Sequence, residues 1–235
     1  MKKILLLISF LFLISEKTIA GQHLVSANQS FVKHDYISAL ANYKQAIGDL
    51  TNQSNPITTT TIFQNLKNKF ASALNVFSPS FTSVPTPVVS GNSGSGAIQD
   101  VSTYAYICHN MGECYLQQKN ITAAVSIWGV GADEGGQSTT GLKCRFKEGQ
   151  YKMYNHDYQG GYDSFKKYLK AYIQKDKSQY DRPKMSAALY MGSVCAWKLY
   201  KSGVPFEKYI ADVYTLQNQI MKIVPALDTR LYFNR

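Results

Sequence analysis

Cysteine, histidine and paired carboxylates carry most protein chemistry, and in this chain they are few and scattered. The cysteines stand at 108, 114, 144 and 195, and the histidines at 23, 34, 109 and 156. A structural zinc site needs ligands at short repeated spacings, with roughly two to four residues between paired cysteines. No CxxC pair and no His pair at ligand spacing is present. The sequence also lacks HExxH, a phosphate-cradling glycine loop and the Gly-x-Ser-x-Gly turn that presents a nucleophile. Cys108 and Cys114 fall on different faces of one helix, so they do not pair with each other. His156-Asp157 reads as a polar turn between helices. No catalytic residue, metal or cofactor is expected. A cell-wall enzyme would need a polar pocket assembled from distant carboxylates or His.

The elements that position these residues are helices. The chain has 235 residues, 45% of them hydrophobic and 17% charged, enough apolar content for a sizeable core. Seventeen tyrosines suit packing seams and binding surfaces, because a Tyr ring buries while its hydroxyl stays wet. The net charge of +10 comes from dispersed Lys residues, with no basic arm or nucleic-acid motif. Nucleic acid is therefore not expected, and the charge suits an anionic lipid, a cell-wall polymer or an acidic protein.

Lys2 and Lys3 precede an apolar run from Ile4 to Ile14, and Thr18-Ile19-Ala20 supplies small residues for cleavage after Ala20. That is the pattern of a signal peptide, too short to span a bilayer comfortably. Its removal takes three Lys and one Glu with it, leaving +8 of the original +10. The mature protein is expected to be periplasmic or secreted.

Residues 21–50 read as two helices, the second carrying Tyr36, Leu40, Tyr43 and Ile47 on one stripe behind an N-capping Asp35. Ile62, Phe63, Leu66, Phe70, Leu74 and Phe77 mark an added amphipathic helix. Residues 78–100 are rich in Ser, Thr, Pro and Gly and read as a flexible linker. From Val101 the pattern is helical almost throughout: Asp100 is placed as a cap, Gly135-Gly136 as a break, and Asp181 with Pro183 as a helix start. A final helix carries Phe206, Tyr209, Ile210, Val213, Leu216, Ile220 and Val224 on one face and stops at Pro225.

Cys108, Met111, Gly112, Tyr115, Ala124 and Trp128 form a pattern in which small residues stand where two antiparallel helices cross. Gly149, Tyr158, Gly161, Phe165 and Tyr168 repeat it. Tyr36, Ala39, Tyr43 and Ala46 give a closing half, and Met191-Gly192 with Cys195 an opening half. This resembles the tetratricopeptide repeat family over residues 24–50 and 105–211, with 105–170 the best match. The family period is about 34 residues, whereas Gly112 and Gly149 stand 37 apart and Gly149 and Gly192 43 apart. The resemblance implies an all-α fold, an α-solenoid of antiparallel helix pairs, and the last helix as its cap. A generic α-helical bundle is the other architecture.

In the family the first helix of each pair lines a concave, partner-binding face. Carried over from the motif glycines, that face is Tyr106, His109, Glu113 and Gln117, then Phe146, Gln150, Met153 and Tyr154, then Leu189, Ser193 and Trp197. It is mostly aromatic and uncharged, which fits a protein or peptide with apolar side chains. The resemblance also places Cys108 and Cys144 on neighbouring first helices, where they either form a disulfide or stay buried as thiols. Lys166, Lys167 and Lys170 offer an anionic contact or simply a solvated face. The last helix could instead bury its stripe in a homodimer. The expected function is a non-catalytic scaffold of the bacterial cell envelope. The other readings are a secreted factor acting on a host or extracellular partner, and a cell-wall enzyme.

Overall fold

The structure, a computed structural model, describes residues 21–53 and 97–234, without the side chains of 51–53 and 97–101. The expected signal peptide, the amphipathic helix at 62–77 and most of the linker lie outside these residues. The described residues are all-helical, with no strand among them. We number the helices α1 (21–32), α2 (Tyr36–Gln53), α3 (Ala97–Gln117), α4 (Ile121–Gly135), α5 (Thr139–Tyr154), α6 (Tyr158–Ile173), α7 (Arg182–Lys201) and α8 (Phe206–Ile223). They fall into two compact units, one ending at Val130 and one starting at Gly131. No described helix is long and apolar enough to cross a membrane.

Local signals set most boundaries. Asp35 accepts a hydrogen bond from the Ser38 amide, as a helix N-cap does. Asp157 caps α6 through the Gly160 amide, and Asp181 caps α7 with a Pro in its first turn. Gly136, at φ +50, follows the last residue of α4. One cap differs from the sequence expectation. Helix α3 starts at Ala97, ahead of Val101, so Asp100 lies inside its first turn and not at its N-cap.

Four turns between consecutive helices are built alike. His34, Lys119 and His156 adopt left-handed backbone at φ 61, 60 and 64, and Gly203 does so at φ 95. Each donates its N–H to the carbonyl three residues back, and the next residue donates to the carbonyl five back. That paired bond is the Schellman ending of a helix, and it turns the chain straight into the next helix. Five residues after the first three of these positions stand Ala39, Ala124 and Gly161, and nine after stand Tyr43, Trp128 and Phe165. All six are buried. A small residue and a buried aromatic thus recur at fixed offsets in three helix pairs. The earliest copy is complete, because Ala27 of α1 lies in the same relation to Tyr43 as Gly112 to Trp128 and Gly149 to Phe165.

In the first unit α1, α2 and α3 are tied by a buried polar chain. Asn110 donates to the Tyr43 hydroxyl at 3.0 Å, and Tyr43 donates to Asn28 at 2.7 Å. Tyr43 can therefore be fully buried without an orphaned hydroxyl. Helices α3 and α4 cross at Gly112, where any Cβ would run into the Trp128 indole. The indole N–H donates to the His109 carbonyl at 3.1 Å.

The second unit packs α5 on α6, α6 on α7 and α7 on α8. Gly149 lies against Phe165, Gly161 faces Met153 on one side and Cys195 on the other, and Gly192 meets Phe165. Helices α5 and α6, and α6 and α7, therefore run antiparallel. The apolar stripe of α8, Tyr209, Ile210, Val213, Leu216 and Ile220, is buried inside the chain. That leaves Phe206 and Met221 as the exposed large apolar residues of α8. After α8 the chain folds back, burying Val224, Leu227 and Leu231 and ending in a short 3-10 turn, Tyr232–Asn234, on α7.

Candidate partner-binding surface

The first helices of the pairs carry the residues expected to meet a partner. On α3, Tyr106 is 38% exposed and Gln117 is exposed, while His109 and Glu113 are half-buried. The Tyr106 hydroxyl donates to Asn28 at 3.1 Å, which fixes its ring from below. On α5, Tyr154 is 55% exposed, and Gln150 donates to its hydroxyl at 3.1 Å. Phe146 and Met153 are half-buried and pack against the core, Phe146 edge-on to Phe165 and tilted against Tyr168. The sequence did not single out Tyr151 and Lys147. Tyr151 stands edge-on to Tyr154 at 5.7 Å, and the Lys147 ammonium lies 5.9 Å from the Tyr151 ring. The signal for them was the spacing of Lys147, Tyr151 and Tyr154, one helical face.

The α7 assignments are corrected. Leu189 is 1% exposed and Ser193 is fully buried, so neither can meet a partner directly. Trp197 is half-buried. Leu189 packs into the core, and the C-terminal segment lies on Ser193 and Trp197. The Ser193 hydroxyl accepts the Tyr232 amide at 2.8 Å and donates to the Tyr190 carbonyl at 2.7 Å. Phe233 stacks on Trp197 and stands edge-on to Tyr214, and Tyr232 stands edge-on to Tyr190.

All four cysteines are buried, and none is bridged in the structure. Burial pushes the Cys114 and Cys195 thiols up to about 12, so neither is a nucleophile at neutral pH. Lys166 is not a freely solvated cation: it pairs with Asp212 and lies over the Tyr162 ring, while Lys167 and Lys170 remain exposed. Burial works to raise the Asp212 carboxyl. The hydrogen bonds from Lys166 and Tyr162, with the charges of Lys166 and Lys170, outweigh it and hold the pKa below the ordinary carboxylate value.

The second unit also contains a buried ion network. Arg145 donates to Glu148 at 2.7 Å and pairs with Asp133, and Lys152 reaches the other Glu148 oxygen at 2.7 Å. Its members already satisfy one another, so the network reads as a packing device that locks α5 to the end of α4. Among the described residues no cluster of His, Cys, Asp and Glu could hold a metal ion. On each unit the exposed side chains of these helices offer aromatic rings and amide groups. Comparison with protein-family models, curated proteins and solved structures finds no match for the chain.

Proposed function

We propose that the chain is an exported, tetratricopeptide-like helical scaffold that binds a protein or peptide partner through the exposed side of its first helices. One observation carries this reading. Three helix pairs share the same Schellman turn, with a small residue five positions on and a buried aromatic nine positions on. A helix pair built to this plan presents the outer side of its first helix to a partner. On that plan Tyr106 is the exposed aromatic anchor of the first unit, beside Gln117, and Tyr154 that of the second, with Gln150, Tyr151 and Lys147 as adaptable polar contacts. The N-terminal pattern of Lys2, Lys3, Ile4–Ile14 and Ala20 supports export, and we place the partner in a bacterial envelope or outside the cell.

The test is a crosslinking capture from the native cell with tagged chain and a Tyr106→Ala, Tyr154→Ala double variant of unchanged helicity. Both side chains are more than a third exposed, so the variant should fold. A partner enriched by the native chain and lost with the variant supports the proposal. Equal capture by both would place binding elsewhere and remove these two residues from the account.

A further inference from the structure

The residues around the chain's own C-terminal segment have the chemistry of a peptide site. Phe233 sits between Trp197 and Tyr214, with ring centroids 6.4 Å and 5.2 Å away. Its neighbour Tyr232 gives its backbone N–H to a fully buried hydroxyl, Ser193 Oγ. The Asn234 side chain accepts from Tyr214 at 2.8 Å. A short 3-10 segment is thus read by one buried acceptor and two aromatic slots, polar and apolar contacts of the kind that line a peptide site. The occupant fills this surface only in part. Tyr232 and Phe233 stay half-buried and Asn234 exposed. The row of rings also continues past it, from Trp197 to Tyr200 and from Tyr200 to Phe206. Tyr200 is 41% exposed and Phe206 44%.

We propose that this face of α7 binds a short aromatic segment of a partner protein, and that the chain's own residues 232–234 hold the site until the partner displaces them. The proposal deepens the partner-binding reading above and rests on it for the claim that the chain binds proteins. A partner that repeats the aromatic pair and also covers Tyr200 and Phe206 buries more apolar surface than the native segment does, which is how it wins. The native segment competes at the high effective concentration of a tethered ligand, so it lowers the partner's apparent affinity by the fraction of time it is bound.

A fluorescein-labelled peptide with the sequence of residues 228–235 is the probe, and anisotropy the readout. The native chain is compared with a Tyr232→Ala, Phe233→Ala variant that keeps Leu231 in the core. The variant should bind the peptide at least about tenfold more tightly, because its site is vacant, and adding Trp197→Ala should abolish that gain. Equal affinity for the native chain and the variant, or no binding by either, overturns the proposal. Binding that depends on Tyr154 and not on Trp197 also overturns it but leaves the partner-binding reading standing. If the variant fails to fold, hydrogen exchange of the native chain decides. A Tyr232 amide exchanging at least about tenfold faster than the buried amides of α7 reports local release and supports the proposal. Exchange in step with α7 makes the segment a permanent cap and overturns it.

Discussion

Arg145 and Glu148 occupy positions that in α3 are apolar. Counting back from the crossing glycine, Arg145 matches Cys108 and Glu148 matches Met111, both fully buried. The two charges are nearly as deep, with side-chain exposures of 10% and 7%. Removing one partner of a buried pair strands the other, at about 3–5 kcal/mol. Arg145→Met should fall at the low end, about 3 kcal/mol, because Lys152 still bonds Glu148 at 2.7 Å. Glu148→Met should cost about 2 kcal/mol, because Arg145 keeps the half-exposed Asp133. The double variant removes both buried charges and restores the apolar character found in α3. It should cost about 2 kcal/mol, not the roughly 5 kcal/mol of independent losses, a coupling of about 3 kcal/mol. Urea-dependent hydrogen exchange of the α5 and α6 amides gives the stability of this unit separately from the other. A double variant as unstable as the two singles together would refute the pairing argument, and so would an Arg145→Met cost under about 1 kcal/mol.

Two glycine substitutions should act in opposite directions. Gly112→Ala drives a methyl into the Trp128 indole and should lower stability by about 1–2 kcal/mol after its gain in helix propensity. Gly48→Ala, with nothing within 4 Å of its new Cβ, should raise stability by about 0.5–1 kcal/mol. Urea midpoints compare the two. The depressed Asp212 carboxyl predicts an acid weakness. Its stabilisation is complete above the unfolded-state value of about 3.9 and is lost as pH falls through the lower folded value. Asp212→Asn should therefore flatten the acid limb of the stability–pH curve, and an unchanged limb would assign that loss to other carboxylates.

What the sequence revealed, and what it hid, follows from the range of each interaction. The crossings at Gly112 and Gly149 were legible because both partners of each lie within a single helix pair. Asp35 and Asp181 were legible as caps because capping is local. The first copy looked incomplete because its crossing residue is Ala27, and alanine marks no motif. The left-handed turns were hidden because His34, Lys119 and His156 adopt a backbone usually given to Gly, leaving only Gly203 with the expected residue type. Asp100 was misread because the glycine-rich stretch before it gave no sign that the helix reaches back to Ala97. Leu189 and Ser193 were misplaced for a different reason. The cover of Ser193 arrives from Tyr232, 39 residues further on, and no periodicity within α7 announces it, while Leu189 packs into the core.

The last helix shows which departures from the repeated plan belong to closure and which to binding. At the offsets that carry a small residue and an aromatic in the earlier pairs, counted from Gly203, α8 has Lys208 and Asp212. Lys208 is exposed, and Asp212 is held by Lys166 and Tyr162 of α6. Polar residues at those two places break the small-residue and aromatic pattern that the earlier pairs repeat. A helix selected only to close the array would be polar along its whole outer side. Phe206 instead stands exposed at its start beside Tyr200, in line with Trp197 and the ring of Phe233. Exposed rings that continue a row already holding a peptide segment serve closure poorly, because they attract contact. They serve recognition well, and that contrast is the reason to look for the partner at this end of the chain as well as on α5.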